Sequence, residues 1–247
     1  SELLASFTRT DSRYGGADFG HRTRFLRRVH AGIAAEQPGL IATCRLNLWD
    51  PIPYPHGWGA DREDARRVDL SEPLQLAGQL REQGAPCLNV TVGHPRFVPR
   101  YNRPHDRSPE GEAPADQHPL VSVERMVRAA GEVQQACPDL RIIGTGYSYL
   151  RHFLPYFAAG AVEQGWATMI GLGREAFAYP DFARDILEHG KLDPERCCIT
   201  CGLCSRLMKA GKPAGCVVRD AEVYRPVWNE VRGTGPAGRG LNGAHVS

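Results

Sequence analysis

Leu140-Arg141-Ile142-Ile143-Gly144-Thr145-Gly146-Tyr147 and Ala167-Thr168-Met169-Ile170-Gly171-Leu172-Gly173-Arg174 repeat one pattern. Each is a short apolar run, strand-length rather than helix-length, and each ends in a Gly-x-Gly turn. Between them Tyr149 to Gln164 keeps helical spacing, so the unit reads strand, turn, helix, strand.

The same unit recurs upstream. Helical patterns at Phe19 to Glu36, Pro73 to Gln83 and Val121 to Ala136 alternate with apolar runs at Leu40 to Leu46 and Cys87 to Val92. In the first helix Phe19, Arg22, Phe25, Leu26, Val29 and Ile33 share one face. A last helix is expected at about Asp181 to His189. Such alternation predicts an α/β fold with a parallel sheet and right-handed crossovers, either an open doubly wound sheet or part of a closed eight-stranded (β/α)8 TIM barrel. Four strands alone cannot close that barrel. The residues 93–119, rich in Pro, His, Asp and Arg, are too long and aperiodic for an ordinary connection and read as a functional loop or a disordered insertion, the functional loop being favoured.

The 247 residues, 42% of them hydrophobic, suffice for a buried core. Thirty basic and 28 acidic side chains are mixed along the chain, and the net charge of +2 carries no footprint for nucleic acid or an anionic membrane. No apolar run approaches the roughly 20 residues that span a bilayer, and SELLASFTRTDSR at the start lacks the order of a secretory signal. A soluble, cytoplasmic protein is expected. The chain opens without methionine on a polar stretch, so it is expected to begin partway through a longer polypeptide.

Eight cysteines are too few for a disulfide scaffold, and five of them fall between Cys197 and Cys216. From Cys198 the spacing is C-x2-C-x2-C-x11-C, through Cys201 and Cys204 to Cys216. Three thiolates two residues apart bind three corners of a cubane from one turn, and a distant fourth closes it, so the spacing fits a 4Fe-4S cluster. Zinc is the rival, although its ligands usually come as two separated pairs. Cys198 fits the spacing better than Cys197; Cys197, Cys44, Cys87 and Cys137 read as packed or spare thiols. Arg206, Lys209, Lys212 and Arg219 surround the cluster loop with positive charge and no acidic residue intervenes. Nearby cations ease reduction of an anionic cluster, although each alone reads as a solvated side chain.

The two Gly-x-Gly turns follow the third and fourth strands, where a βα barrel offers backbone amides to a phosphate. Arg174 adds a charge there. His94 and His105 are weaker candidates for an acid or base. Trp49, Tyr54, Trp58 and Tyr101 could wall a pocket or pack loops down.

Arg9-Thr10-Asp11-Ser12-Arg13-Tyr14-Gly15-Gly16 followed by Arg22, Arg24 and Phe25, Gly171-Leu172-Gly173-Arg174 followed by Tyr179-Pro180-Asp181, and the cysteine loop occur in one order. In these motifs the chain resembles the old yellow enzyme group of FMN-dependent NADH:flavin oxidoreductases, in the branch of 2,4-dienoyl-CoA reductase and trimethylamine dehydrogenase, from near the start to about Tyr224. The resemblance implies that the strands are the fifth to eighth of a barrel. It implies FMN phosphate held at the turns of Gly146 and Tyr147 and of Gly173 and Arg174, with Arg45 at the flavin pyrimidine edge. NAD(P)H is the implied electron donor, and an activated alkene or similar small molecule the substrate. The family's first four strands, with their histidine-containing substrate site, have no counterpart here.

The organisation expected is a flavin-binding partial barrel over 1–190, an iron-sulfur loop over 191–224 and a disordered glycine-rich tail over 225–247. The function expected is an FMN- and 4Fe-4S-dependent oxidoreductase. The alternatives are a zinc-stapled phosphate-binding domain without redox activity, and a half-barrel subunit that needs an N-terminal half-barrel partner or self-associates through open sheet edges and an apolar inner face.

Overall fold

The computed structural model describes residues 3–6, 9–10, 13–94, 97, 99–106 and 116–233. In chain order the elements are α1 (Phe19–Glu36), β1 (Cys44–Asn47), α2 (Ser71–Glu82), β2 (Cys87–Thr91), α3 (Pro99–Asn102), α4 (Pro119–Ala136), β3 (Arg141–Gly144), a 3-10 helix (Tyr147–Phe153), α5 (Leu154–Glu163), β4 (Met169–Ile170), α6 (Arg174–Ala178), α7 (Phe182–His189), α8 (Leu203–Lys209) and α9 (Ala221–Gly233).

The four strands form one parallel sheet in the order β1-β2-β3-β4. A doubly wound sheet reverses its strand order at a switch point. This sheet follows the chain without a reversal.

Alternation along the strands separates two faces. Leu46, Leu88, Val90 and Ile142 pack with Leu76, Ala77 and Leu80 of α2 and with Met126, Ala129, Ala130 and Val133 of α4 in the main core. Arg45, Asn47, Asn89 and Thr91 point to the other face, where Arg45 pairs in register with Asn89 and Asn47 with Thr91. The inner face expected to be apolar is therefore polar along β1 and β2. A second core joins Val123 and Val127 of α4 to Tyr147, Leu154, Tyr179, Leu192 and Cys197, tying the cysteine segment to the sheet's helical layer.

Several expected elements shift for local reasons. β1 starts at Cys44 rather than Leu40, leaving Leu40 and Ile41 63% and 73% exposed beside an edge strand. In α1, Phe25 and Val29 are 51% and 40% exposed, while Arg22 is buried. That guanidinium is held by Glu72, donates to the Gly57 carbonyl at 2.7 Å, and lies 5.2 Å from the Trp58 ring centroid. The helix expected over 149–164 breaks in two at Arg151, whose φ is 52°. Pro155 has no N–H to give the Arg151 carbonyl, so a continuous α-helix would leave that acceptor unpaired; Leu154 N–H takes it instead. Residues 225–233, expected in the tail, are helical in α9; the rest of the tail, 234–247, lies outside the described residues. So do Asp11 and Ser12 of the first motif, and 95–96, 98 and 107–115 of the long loop. Among the described residues no helix is long and apolar enough to cross a membrane.

Candidate functional site

A cavity of about 700 Å³ opens beyond the C-terminal ends of the strands, a size that takes a small-molecule or cofactor ligand. β1 contributes Arg45 and Asn47, β2 contributes Asn89 and Thr91, and the turns after β3 and β4 contribute Thr145, Gly146 and Gly171 to Arg174. Gly93, Asn102, Arg103, Ser148, Phe177 and Ser205 complete its wall.

Thr91 Oγ1 anchors the floor by accepting from Arg45 Nη2 at 3.2 Å and from Asn102 Nδ2 at 3.0 Å. Thr145 Oγ1 donates to the Val90 carbonyl at 2.8 Å. The buried Asn47 Oδ1 and Asn89 Oδ1 find no hydrogen-bond partner among the described residues. Buried acceptors are normally satisfied, so these two amides fit the polar edge of a ligand bearing N–H or O–H groups.

The turns are shaped for close approach. A Cβ on Gly171 would stand 2.9 Å from Ile143 Cγ2 and 3.1 Å from Asn89 Nδ2, so only glycine lets the β4 turn lie on the floor. Gly146 has φ 104° and caps the 3-10 helix. Gly173 has open space where its Cβ would be. Tyr147 does not line the cavity: its ring is fully buried in the second core, and burial pushes its hydroxyl up to about 12.

Arg45 is open to the cavity. Surrounding protein, then the field of Arg103, lowers its pKa. Arg174 is half-buried and donates to the Pro104 carbonyl at 3.5 Å. Burial lowers its pKa, and the thiols of Cys198, Cys204 and Cys201 act in the opposite direction.

Those thiols define a second, narrow cavity. Cys198, Cys201, Cys204 and Cys216 all line it, with Arg174 and Phe177 shared with the first cavity. Among the described residues no three His, Cys, Asp or Glu side chains converge tightly enough to hold one ion; the four cysteines are instead arranged around a space. Thr200 N–H donates to Cys198 Sγ at 3.3 Å and Arg219 N–H donates to Cys216 Sγ at 3.3 Å. Amide-to-sulfur bonds of this kind stabilise thiolate charge and tune a bound metal group. The turn is made by Thr200 at φ 55° and Gly202 at φ 75°. Thr200 Oγ1 is buried and unpartnered among the described residues. Four thiols lining one cavity, with amides donated to two of the sulfurs and an orphaned hydroxyl beside them, form a soft donor set of the kind that either zinc or an iron-sulfur group takes.

The structure separates the adjacent cysteines. Cys198 faces the cage, whereas Cys197 is fully buried in the second core, its Sγ donating to the Asp193 carbonyl at 3.3 Å. Burial, then Glu175, pushes the Cys197 thiol up to about 12. Glu175 escaped the sequence reading: no carboxylate occurs between Cys197 and Arg219, yet this one arrives from α6. It is fully buried, and its oxygens accept the Cys198 N–H at 3.3 and 3.2 Å. It thereby ties the β4 turn to the cage. Asn47, Asn89, Asn102 and Arg103 also escaped, because polar residues within short strands and in the segment after β2 carry no spacing signal.

The weaker candidates are placed elsewhere. His94 and His105 are buried and do not line the cavity; His105 Nδ1 lies 3.0 Å from the Arg103 carbonyl. Trp49 stacks on Tyr101 at 5.5 Å, Trp58 stacks on Phe19 and donates to the Asn47 carbonyl at 2.8 Å, and Tyr54 is exposed beneath Arg62. Those rings pack loops rather than wall the pocket. No protein-family model matches the sequence, and no curated protein matches it.

Proposed function

We propose that the chain is the C-terminal barrel portion of an oxidoreductase of the old yellow enzyme type, holding FMN in the large cavity and a 4Fe-4S cluster on Cys198, Cys201, Cys204 and Cys216. The observation that carries this reading is the shared wall: Arg174 and Phe177 of α6 line both cavities. The chain-ordered parallel sheet with its helical layer on one face supports the barrel portion.

When bound, FMN exchanges two electrons as a hydride and the cluster passes electrons singly, which suits NAD(P)H as donor and an activated alkene as acceptor. The chain's own residues supply binding and field. Arg45 would offset negative charge gathering on the flavin's polar edge. Asn47 and Asn89 would orient that edge, the amides and charge at Gly146, Tyr147, Gly173 and Arg174 would hold phosphate, and Glu175 would fix the Cys198 side of the cage against the flavin turn.

The test is anaerobic purification followed by FMN, iron and acid-labile sulfide analysis, with Cys198→Ala and Cys216→Ala in parallel. Near-stoichiometric FMN, iron and sulfide, with iron and sulfide lost in both variants, is the expected result. Zinc without sulfide would leave a stapled, redox-silent domain instead.

A further inference from the structure

The large cavity carries more positive charge than the flavin reading uses. Arg45, Arg103 and Arg174 all line it, and no Asp or Glu does. Among the described residues none of the three forms a salt bridge. On the reading above, Arg45 serves the flavin ring and Arg174 its phosphate. Arg103 is left over, and its field reaches both of the others.

Arg103 is presented by a backbone pinned on either side. Asn102 Nδ2 donates to Thr91 Oγ1 and to the Val92 carbonyl, both at 3.0 Å. The next carbonyl, that of Pro104, accepts from Arg174, and Asp106 accepts from Tyr149 Oη and Arg151 Nη2 at 2.5 Å each. A half-buried guanidinium that forms no salt bridge among the described residues, placed in a cavity beside two like charges, costs electrostatic energy in the free protein. An arriving anion recovers it through charge-assisted bonds.

We propose that Arg103 is a specificity-determining residue that binds the carboxylate or phosphate of the second ligand to enter the flavin cavity, an anionic group borne by the substrate or by the nicotinamide donor. The inference rests on the flavin reading, which assigns the other two arginines.

Calorimetric titration of the anaerobically purified full chain tests it, using trans-cinnamate against trans-cinnamamide, which share a shape and differ in charge, and NADP+ in a separate titration. FMN content is read from the same preparations. The wild type is expected to bind at least one of the anions, cinnamate about tenfold more tightly than cinnamamide if the charge is the substrate's. Arg103→Gln should remove that preference while FMN content and cinnamamide affinity hold, and Arg103→Lys should restore part of it. Loss confined to cinnamate assigns the anion to the substrate; loss confined to NADP+ assigns it to the donor. Unchanged affinity for both anions in Arg103→Gln, or loss of FMN from that variant, overturns the proposal. A wild type without FMN would overturn the flavin reading separately, and the same titrations would still show whether Arg103 selects an anion.

Discussion

Thr200 is a β-branched residue held at φ 55°, a conformation that costs on the order of 1–3 kcal/mol wherever it is enforced. It is enforced here between Cys198 and Cys201, with its own amide directed at Cys198 Sγ. Its neighbours divide the work of the two adjacent thiols. Cys197→Ala is expected to keep iron at the wild-type level and to lower stability by about 1–2 kcal/mol, the cost of a small cavity in the second core. Cys198→Ala is expected to lose iron outright. Iron content per chain, read beside urea denaturation, checks both. Glu175→Ala leaves the Cys198 N–H buried without its acceptor, which is expected to cost about 2–3 kcal/mol and to slow cluster reconstitution, whereas the distant cysteines remain in place. That Cys198, Cys201, Cys204 and Cys216 line one cavity was legible in the sequence from their regular spacing. Glu175 was illegible because its partner is a backbone amide 23 positions away, and nothing local encodes that.

Among the elements, the joint between the 3-10 helix and α5 has the clearest local cause. Arg151 takes φ 52° and ψ −127°, and its side chain reaches across to Asp106. Arg151→Gly and Arg151→Ala both remove that ion pair, but only glycine adopts the backbone angles freely. The glycine variant is expected to be the more stable of the two by about 1–2 kcal/mol in urea denaturation; equal stability would mean that the joint stores no strain. Periodicity alone joined these segments into one helix, since Pro155 is compatible with a helix start as well as with a break. In α1, likewise, periodicity marked a face without saying what covers it. Phe25 and Val29 lie open, and the buried side chain is Arg22, satisfied by Glu72 and the Gly57 carbonyl. Arg22→Ala is expected to cost about 3–5 kcal/mol, because it leaves the half-buried Glu72 carboxylate without its cation.

Across the molecule, alternation of strands and helices was enough to read a parallel sheet, which follows the chain in the order β1-β2-β3-β4. The polar inner face was not legible. Arg45, Asn47, Asn89 and Thr91 gain their meaning only once register places them side by side at one end of the sheet. β1 and β4 each have one neighbour in that sheet, and Leu40, Ile41 and Met169 are exposed beside them. Open edges flanked by apolar side chains pair readily with other strands. Sedimentation velocity is expected to show self-association of the isolated chain, relieved by an N-terminal half-barrel partner; a monodisperse, flavin-loaded monomer would contradict that.

Arg174 and Phe177 line both cavities, and the proposed flavin and cluster would lie on either side of them. Electron paramagnetic resonance of the partly reduced, anaerobically purified chain would report whether the two groups are that close. A flavin radical whose relaxation is accelerated by the neighbouring cluster is expected, with the acceleration lost in Cys216→Ala. A flavin radical that relaxes as if isolated, in a protein shown to contain both iron and sulfide, would contradict it.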